Sequence, residues 1–510
     1  MKIKNSFSQN ILRLFLFCIL SIEVSYVMSE DCELIDNCRL VDIYGSDEWV
    51  NIPGHYRIIQ ECIDDALPGD TCLIRSGTYH EEVIIKEKRN IAIRGDSNFE
   101  KPILDGTIEL KPKISFDSNK DGLEDGNWRE EMINGNTVCI GEIEIIDDKH
   151  PFQLFLEDNG HREMMTNARW PNAIWADRHP DTGAPLVFYN LYWGKSDSKS
   201  TRGKMIDKKV QGVSPLADSG LDMKGAMAVL NVGSWNTFVK PIKDHNAGDD
   251  FFTYDDDFGN INFKPGQNQY YLDSSEALLD VPGEWYYNME TNEIKFIPLT
   301  GICPDPNSSA VRGRVIDHSI SITSADELYI ANIDFFASNI DADAREKGDQ
   351  INGLYLDSLN FQFPSSSKRM LQDFSVPKIT QILAGNNGKI SIKNCEFFGG
   401  EGSALYYWGN NAEIENNLFM WNDWSGQMDL TANGGFGTVY GGGHRNDEVF
   451  KGNTMWYNGA SAGYRPGYAK GAIPKILNNL VVGQCDGKIM NDGSGIQLQV
   501  SLNQHVILLI

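Results

Sequence analysis

Between Ile52 and Gly106 the apolar positions recur first at helical and then at alternating spacing. Ile58, Ile59, Cys62, Ile63 and Ala66 fall on one face at i, i+3/i+4 spacing, which predicts a short helix. Pro68-Gly69-Asp70 supplies the turn chemistry that ends it. Three short β-branched runs, Thr71–Ile74, Glu82–Ile85 and Ile91–Ile93, then predict strands separated by Gly and charged turns. A helix feeding short, evenly spaced strands reads as the N-terminal cap and first coil of a β-solenoid.

The solenoid pattern stops near Leu110 and resumes at about Ile320. The region between is aromatic and alternating, as in Thr137–Ile146, Phe152–Leu156, Met227–Val232 and Phe251–Tyr254, and reads as an inserted β-rich domain. From Ile320 one frame recurs: Leu328-Tyr-Ile-Ala-Asn332, Leu354-Tyr-Leu-Asp-Ser358, Ile390-Ser-Ile-Lys-Asn394, Ala412-Glu-Ile-Glu-Asn416, Val449-Phe-Lys-Gly-Asn453 and Lys475-Ile-Leu-Asn478. The turn positions 332, 358, 394, 416, 453 and 478 are spaced by 26, 36, 22, 37 and 25, a coil of 22–26 residues with occasional long loops. Asn tolerates left-handed φ at such a turn, and stacked amides bond along a solenoid. The long intervals 359–389 and 417–446 are where a site is expected. The expected organisation is therefore 30–110 cap and first coil, 111–319 insertion, 320–500 coils, and 501–510 an irregular end. An open coil exposes apolar core and strand edges, so the short apolar Val506-Ile-Leu-Leu-Ile510 is read as the end of a truncated product.

Charge and export signals narrow the partners. With 45 Lys and Arg against 71 Asp and Glu the formal charge is −26, which disfavours nucleic acid and anionic membrane surfaces. Lys2, Lys4 and Arg13 precede the apolar run Leu14–Leu20, and Val27-Met-Ser29 offers a cleavage site. Residues 1–29 are thus read as a cleaved signal peptide and the protein as secreted. Eight of the nine cysteines remain, an even number suited to disulfides. Cys62–Cys72, Cys32–Cys38 and Cys139–Cys303 are the expected pairs, although sequence leaves connectivity open, and Cys395 is expected as a buried free thiol. Asn307-Ser-Ser309 is a glycosylation acceptor.

Two stretches carry candidate chemistry. Asp117-Ser-Asn119-Lys-Asp121-Gly122 through Asp125 places oxygen ligands at alternate positions with Gly at the sixth, the first half of a calcium loop. Trp128 stands at the twelfth position where an EF-hand has Glu, so calcium here is expected to be structural. The second stretch is the late coils. There Trp421, Asp423, Trp424, Tyr464, Tyr468 and Lys488 are expected to line a groove. Coils stack about 4.8 Å apart, so matching positions of adjacent coils become neighbours. Aromatics stack on sugar rings, and paired carboxylates cleave glycosidic bonds. Asp429 and Asp492 are the leading acids, Asp423 and Asp447 the reserves, and His444 a base or sugar contact.

The opening motif Ile59-Gln60-x-x-Ile63-Asp64-x-Ala66-x-Pro68-Gly-Asp-Thr71, followed by Gly77-Thr-Tyr79-x-Glu81 and Asp105-Gly106, resembles the start of right-handed parallel β-helix proteins. These include pectate-lyase-like and chondroitinase/alginate-lyase-like carbohydrate enzymes. Gln153-Leu-Phe155, Ala168-Arg-Trp-Pro-Asn172, Gly225-Ala226 before Gly233-Ser-Trp235, and Pro282-Gly-Glu-Trp-Tyr-Tyr287 resemble the subset with a β-rich insertion, some of them glycoside hydrolases. Gly452-Asn-Thr454…Arg465-Pro-Gly467 is similar to the lyase coil that carries a catalytic Arg, here Arg465. His444 replaces the Lys of that family, and Gly434–Gly443 lacks its acidic calcium ligands. The resulting expectation is an all-β, right-handed parallel β-helix that acts on a polysaccharide, hydrolysing it without a cofactor. A β-eliminating lyase and a non-catalytic glycan-binding adhesin are the alternatives.

Overall fold

The recurring frame folds as short strands that visit three parallel sheets in turn. The computed structural model describes residues 37–510 except 48, 114–127, 211–213, 234–236, 306–307, 347, 386–387, 426–436, 443–447, 467–473, 485–493, 497–507 and 510. Ala325–Ala331 joins the first sheet, Asp334–Phe336 the second and Asn339–Asp343 the third, and the cycle repeats to Ser494–Ile496. Among the described residues the sheets hold eleven, eight and eight strands, each paired in parallel with its neighbours in the sheet. This is a three-sided parallel solenoid.

Register explains the core. Ile93, Ile330, Leu356, Ile392, Ile414, Phe450 and Ile476 share one inward column of the first sheet. In the second sheet Phe335, Phe361, Phe397 and Phe419 stack at 4.6, 4.7 and 5.0 Å, close to the spacing between strands. All these residues are buried. A one-residue slip would turn every apolar side chain outward, so the pattern pins the register.

The left-handed corner between the first and second sheets is formed by Asn332, Ser358, Asn394, Asn416, Gly452 and Asn478, with φ from 52 to 67°. The expected turn at Asn453 therefore sits one residue early, at Gly452. The amide ladder occupies the next position instead. Asn417, Asn453 and Asn479 each accept on Oδ1 the backbone N–H of Cys395, Asn417 and Asn453, at 2.9–3.0 Å. Their Nδ2 groups donate to the carbonyls of Ile392, Ile414 and Phe450. Corner and ladder are separate jobs for neighbouring residues.

Helix Ile59–Asp65 buries Ile59, Cys62 and Ile63, while Ile58 precedes it and is half exposed. The Cys62–Cys72 disulfide ties it to strand Thr71–Ile74. Between the first coil and the rest, Thr107–Glu109 pairs antiparallel with Ser309–Arg314. The chain between them forms an eight-stranded sheet, antiparallel in all but one pairing, and antiparallel five- and two-stranded sheets. Cys139–Cys303 bonds within this segment, Cys395 is free and buried, and burial pushes its thiol up to about 12. Cys38 is disulfide-bonded, but the expected partner Cys32 lies outside the described residues. Among the described residues no helix is long and apolar enough to cross a membrane.

Candidate functional site

The corner between the second and third sheets has its own left-handed column: Ala337, Phe363, Gly399, Trp421, Tyr457 and Gly483, with φ from 48 to 75°. A second amide ladder follows it. The N–H of Gly400 donates to Asn422 Oδ1 at 3.1 Å, and that of Asn422 to Asn458 Oδ1 at 2.9 Å. Asn422 and Asn458 donate in turn to the carbonyls of Phe397 and Phe419.

One residue beyond this ladder, Glu401 and Asp423 occupy the same position of adjacent coils. Their strands pair Phe398 with Met420, and counting forward aligns Gly400 with Asn422 and then Glu401 with Asp423. The Asp423 N–H donates to the carbonyls of Gly400 at 2.7 Å and Gly402 at 2.9 Å, so its backbone lies directly on the Glu401 turn. Asp423 adopts φ 60°, a conformation that Asp tolerates through its short polar side chain. Both residues are at most 1% exposed.

Glu401 is held by three donors. Arg369 Nη1 lies 2.6 Å from Oε1, while the Ser367 N–H at 2.6 Å and the Ser366 hydroxyl at 3.3 Å reach Oε2. Arg369 is buried and also grips Asp273 through Nε and Nη2 at 2.9 and 2.7 Å. The facing Asp273 and Glu401 carboxylates hold the guanidinium pKa far above its ordinary value against the opposing effect of burial. Thus a residue of the antiparallel segment, a residue of the long 363–379 loop and a corner residue of the solenoid meet in one charge network.

Aromatic rings surround this corner. Trp421 packs 5.1 Å from Phe398 and 6.3 Å from Trp175, and the Arg178 guanidinium lies 5.3 Å over its ring. Trp424 is buried, lies 6.1 Å from Trp175 and donates Nε1–H to the Gly399 carbonyl at 3.2 Å. Trp175 belongs to the antiparallel segment, so that segment leans on the corner bearing the two carboxylates.

The other expected residues fall elsewhere. Tyr464 does not line a groove: it points into the coil, fully buried, and stacks 3.7 Å from Phe450. Its hydroxyl, like that of Tyr407, bonds the buried Glu448 carboxyl, which desolvation pushes up to about 7. Arg465 lies on the third sheet in register with Tyr440, which stacks 4.3 Å from Tyr406. Asp429, His444, Asp447, Tyr468, Lys488 and Asp492 lie outside the described residues, as do the calcium-loop positions Asp117, Asn119, Asp121 and Asp125. Among the described residues no group of three or more His, Cys, Asp or Glu is placed to hold a metal ion.

Glu401 and Arg369 were not among the expected residues. A signal for Glu401 was present, because the interval of 22 that separates Asn394 from Asn416 also separates Glu401 from Asp423. Arg369 had none, since its partners lie 96 and 32 residues away.

No family model matches the sequence, and no curated protein is similar to it in sequence. Among solved structures, one titled "Glycoside hydrolase" is similar over 92% of this chain and 98% of its own, at 13% identity and a TM-score of 0.46. The tailspike of Pseudomonas phage phi297 is similar over 83% of this chain and 68% of its own, at 12% identity and a TM-score of 0.13.

Proposed function

We propose that this chain is a secreted polysaccharide hydrolase on a right-handed parallel β-helix, with Glu401 and Asp423 as its carboxylate pair. Helix Ile59–Asp65 is then the cap, residues 111–319 the inserted domain, residues 1–29 the signal peptide, and the loop 117–125 a structural calcium site. The observation that carries the reading is the equivalence of Glu401 and Asp423 on adjacent coils, which spaces their backbones by about 4.8 Å. Carboxyl groups about 5–5.5 Å apart suit a retaining double displacement. In this reading Glu401, charge-paired with Arg369, takes the nucleophile's role and attacks the anomeric carbon, which requires the corner to open to the sugar, because both carboxyls are at most 1% exposed. Asp423 protonates the departing glycosidic oxygen and then activates the water that releases the sugar. Asp429, Asp492, His444 and Arg465 as further catalytic groups, and Tyr468 and Lys488 as sugar contacts, belong to the same proposal.

The lyase or binding-only alternative draws on the third sheet, where the stacked Tyr406 and Tyr440 lie in register with Arg465. The deciding experiment incubates the full chain with neutral and uronate polysaccharides, with and without calcium. New reducing ends, lost in Glu401→Gln and Asp423→Asn, support hydrolysis by this pair. Absorbance from unsaturated uronates that persists in both variants would overturn it.

A further inference from the structure

A cleft of about 540 Å³ opens on the outer face of the second sheet, beneath the hairpin of strands Gln153–Asp158 and His161–Asn167. Its floor is built by register. Phe336, Gln362 and Phe398 occupy one outward position on three consecutive coils, and Met420 and Trp456 continue the column. Rungs about 4.8 Å apart form a ladder along the solenoid axis. At its far end Phe363, Phe398 and Trp175 join the cleft to the rings packed around the Glu401 and Asp423 corner.

The polar lining decides what such a ladder holds. Arg162 is engaged: it donates to Asp105 at 2.8 Å and Glu157 at 2.9 Å and lies 4.4 Å over the Phe336 ring. Arg178 is engaged as well, donating to the Trp175 carbonyl and covering the Trp421 ring. What remains for a ligand is the amide of Gln362, the imidazole of His161, the carboxyl of Glu163 and the second oxygen of Asp334, whose Oδ1 accepts from Asn360 at 2.7 Å and lies 3.5 Å from Lys101. Burial raises both carboxyls above their ordinary range, against Arg178 and His161 at Glu163 and against Lys101 and Asn360 at Asp334. These groups suit hydroxyls that both donate and accept. A uronate or sulfated chain would bring its charge beside two acids and engaged cations in a protein of net charge −26.

We infer that this cleft is a run of distal sugar subsites for an uncharged glycan chain, so that the protein works on a neutral polymer rather than on a short or polyanionic glycoside. The inference rests on the hydrolase reading only for the word distal; the binding itself does not depend on the catalytic pair.

The test is calorimetric titration of the full chain carrying Asp423→Asn. Probes are neutral hexasaccharides of glucan, xylan and mannan type and a hexagalacturonate. Expected is binding of at least one neutral hexasaccharide, at least tenfold tighter than its disaccharide and than the uronate. Gln362→Trp, an exposed position that fills the cleft, is expected to weaken that binding at least tenfold with an unchanged melting temperature. Glu163→Lys is expected to narrow the preference over the uronate. Tighter binding of the uronate, or neutral binding indifferent to Gln362→Trp, overturns the inference. If neutral binding follows the cleft while hydrolysis survives Glu401→Gln, the inference stands and the catalytic assignment falls.

Discussion

Arg369 and Asp273, 96 residues apart in sequence, form a buried ion pair with Nη2 and Oδ2 2.7 Å apart and both side chains at most 2% exposed. The same guanidinium holds Glu401 at 2.6 Å. Removing the cation leaves two desolvated carboxylates facing each other, and breaking a buried pair from one side costs about 3–5 kcal/mol. Arg369→Met is expected to lower the unfolding free energy by that amount in urea titrations. Arg369→Met combined with Asp273→Leu should recover part of the loss, because one of the stranded charges is gone. A single variant of native stability would show that the three groups do not depend on one another.

Glu448 gives the solenoid a pH-dependent weakness. Desolvation inside the coil pushes its carboxyl up to about 7, with the Tyr464 hydroxyl opposing. Between the ordinary carboxyl range and pH 7 the folded protein holds a proton that the unfolded chain has released. Stability from this group is therefore complete below about pH 4.5, declines as pH rises, and levels off above about 7. The loss amounts to about 3 kcal/mol. Thermal melts of wild type and Glu448→Gln from pH 5 to 8 check this. The variant should flatten the decline and melt higher at pH 8, and identical profiles would count against a buried titrating carboxyl.

What the sequence made legible is what repeats locally. The coil period, the inward columns and the disulfides Cys62–Cys72 and Cys139–Cys303 follow from alternation and from the cysteine spacing. The one-residue error at Asn453 arose because Asn serves both as corner and as ladder, and only Gly452 distinguishes them. Tyr464 misled because aromatic residues look alike from inside and outside a coil until register gives their parity. Trp421 and Trp424 were read from their own coil, but the Trp175 that packs on them comes from a segment some 250 residues earlier. The cleft was illegible for the same reason, since its roof and floor are joined only by tertiary packing.

The separation of corner and ladder is itself testable. Asn416 contributes a left-handed turn, which Gly adopts without strain, so Asn416→Gly should change stability by less than about 1 kcal/mol. Asn417 is buried, accepts the Cys395 N–H and donates to the Ile392 carbonyl. Asn417→Ala strands both, at about 1–3 kcal/mol for each unsatisfied group. Denaturant titration of the two variants compares neighbours that differ by one position. Equal effects would mean that the ladder bonds do not stabilise the coil.

The proposed pairing of Glu401 with Asp423 also implies one stereochemical course. Carboxyls that keep the roughly 4.8 Å spacing of adjacent coils suit retention, whereas inversion requires about 6.5–9.5 Å. The proposed enzyme should therefore release product with the anomeric configuration of its substrate, read by proton NMR within the first minutes of reaction. Glu401→Gln should lower turnover by at least about 10²-fold, and in Glu401→Ala, which leaves a space where the carboxylate stood, azide should restore turnover of an activated aryl glycoside of the matching sugar by substituting for the missing nucleophile. Asp423→Asn should respond differently: the aryl glycoside, whose leaving group needs little protonation, should suffer less than the polymer. An inverted first product would count against this pair, whose neighbouring backbones the Asn422 ladder holds one coil apart through its hydrogen bonds to Gly400 and Asn458.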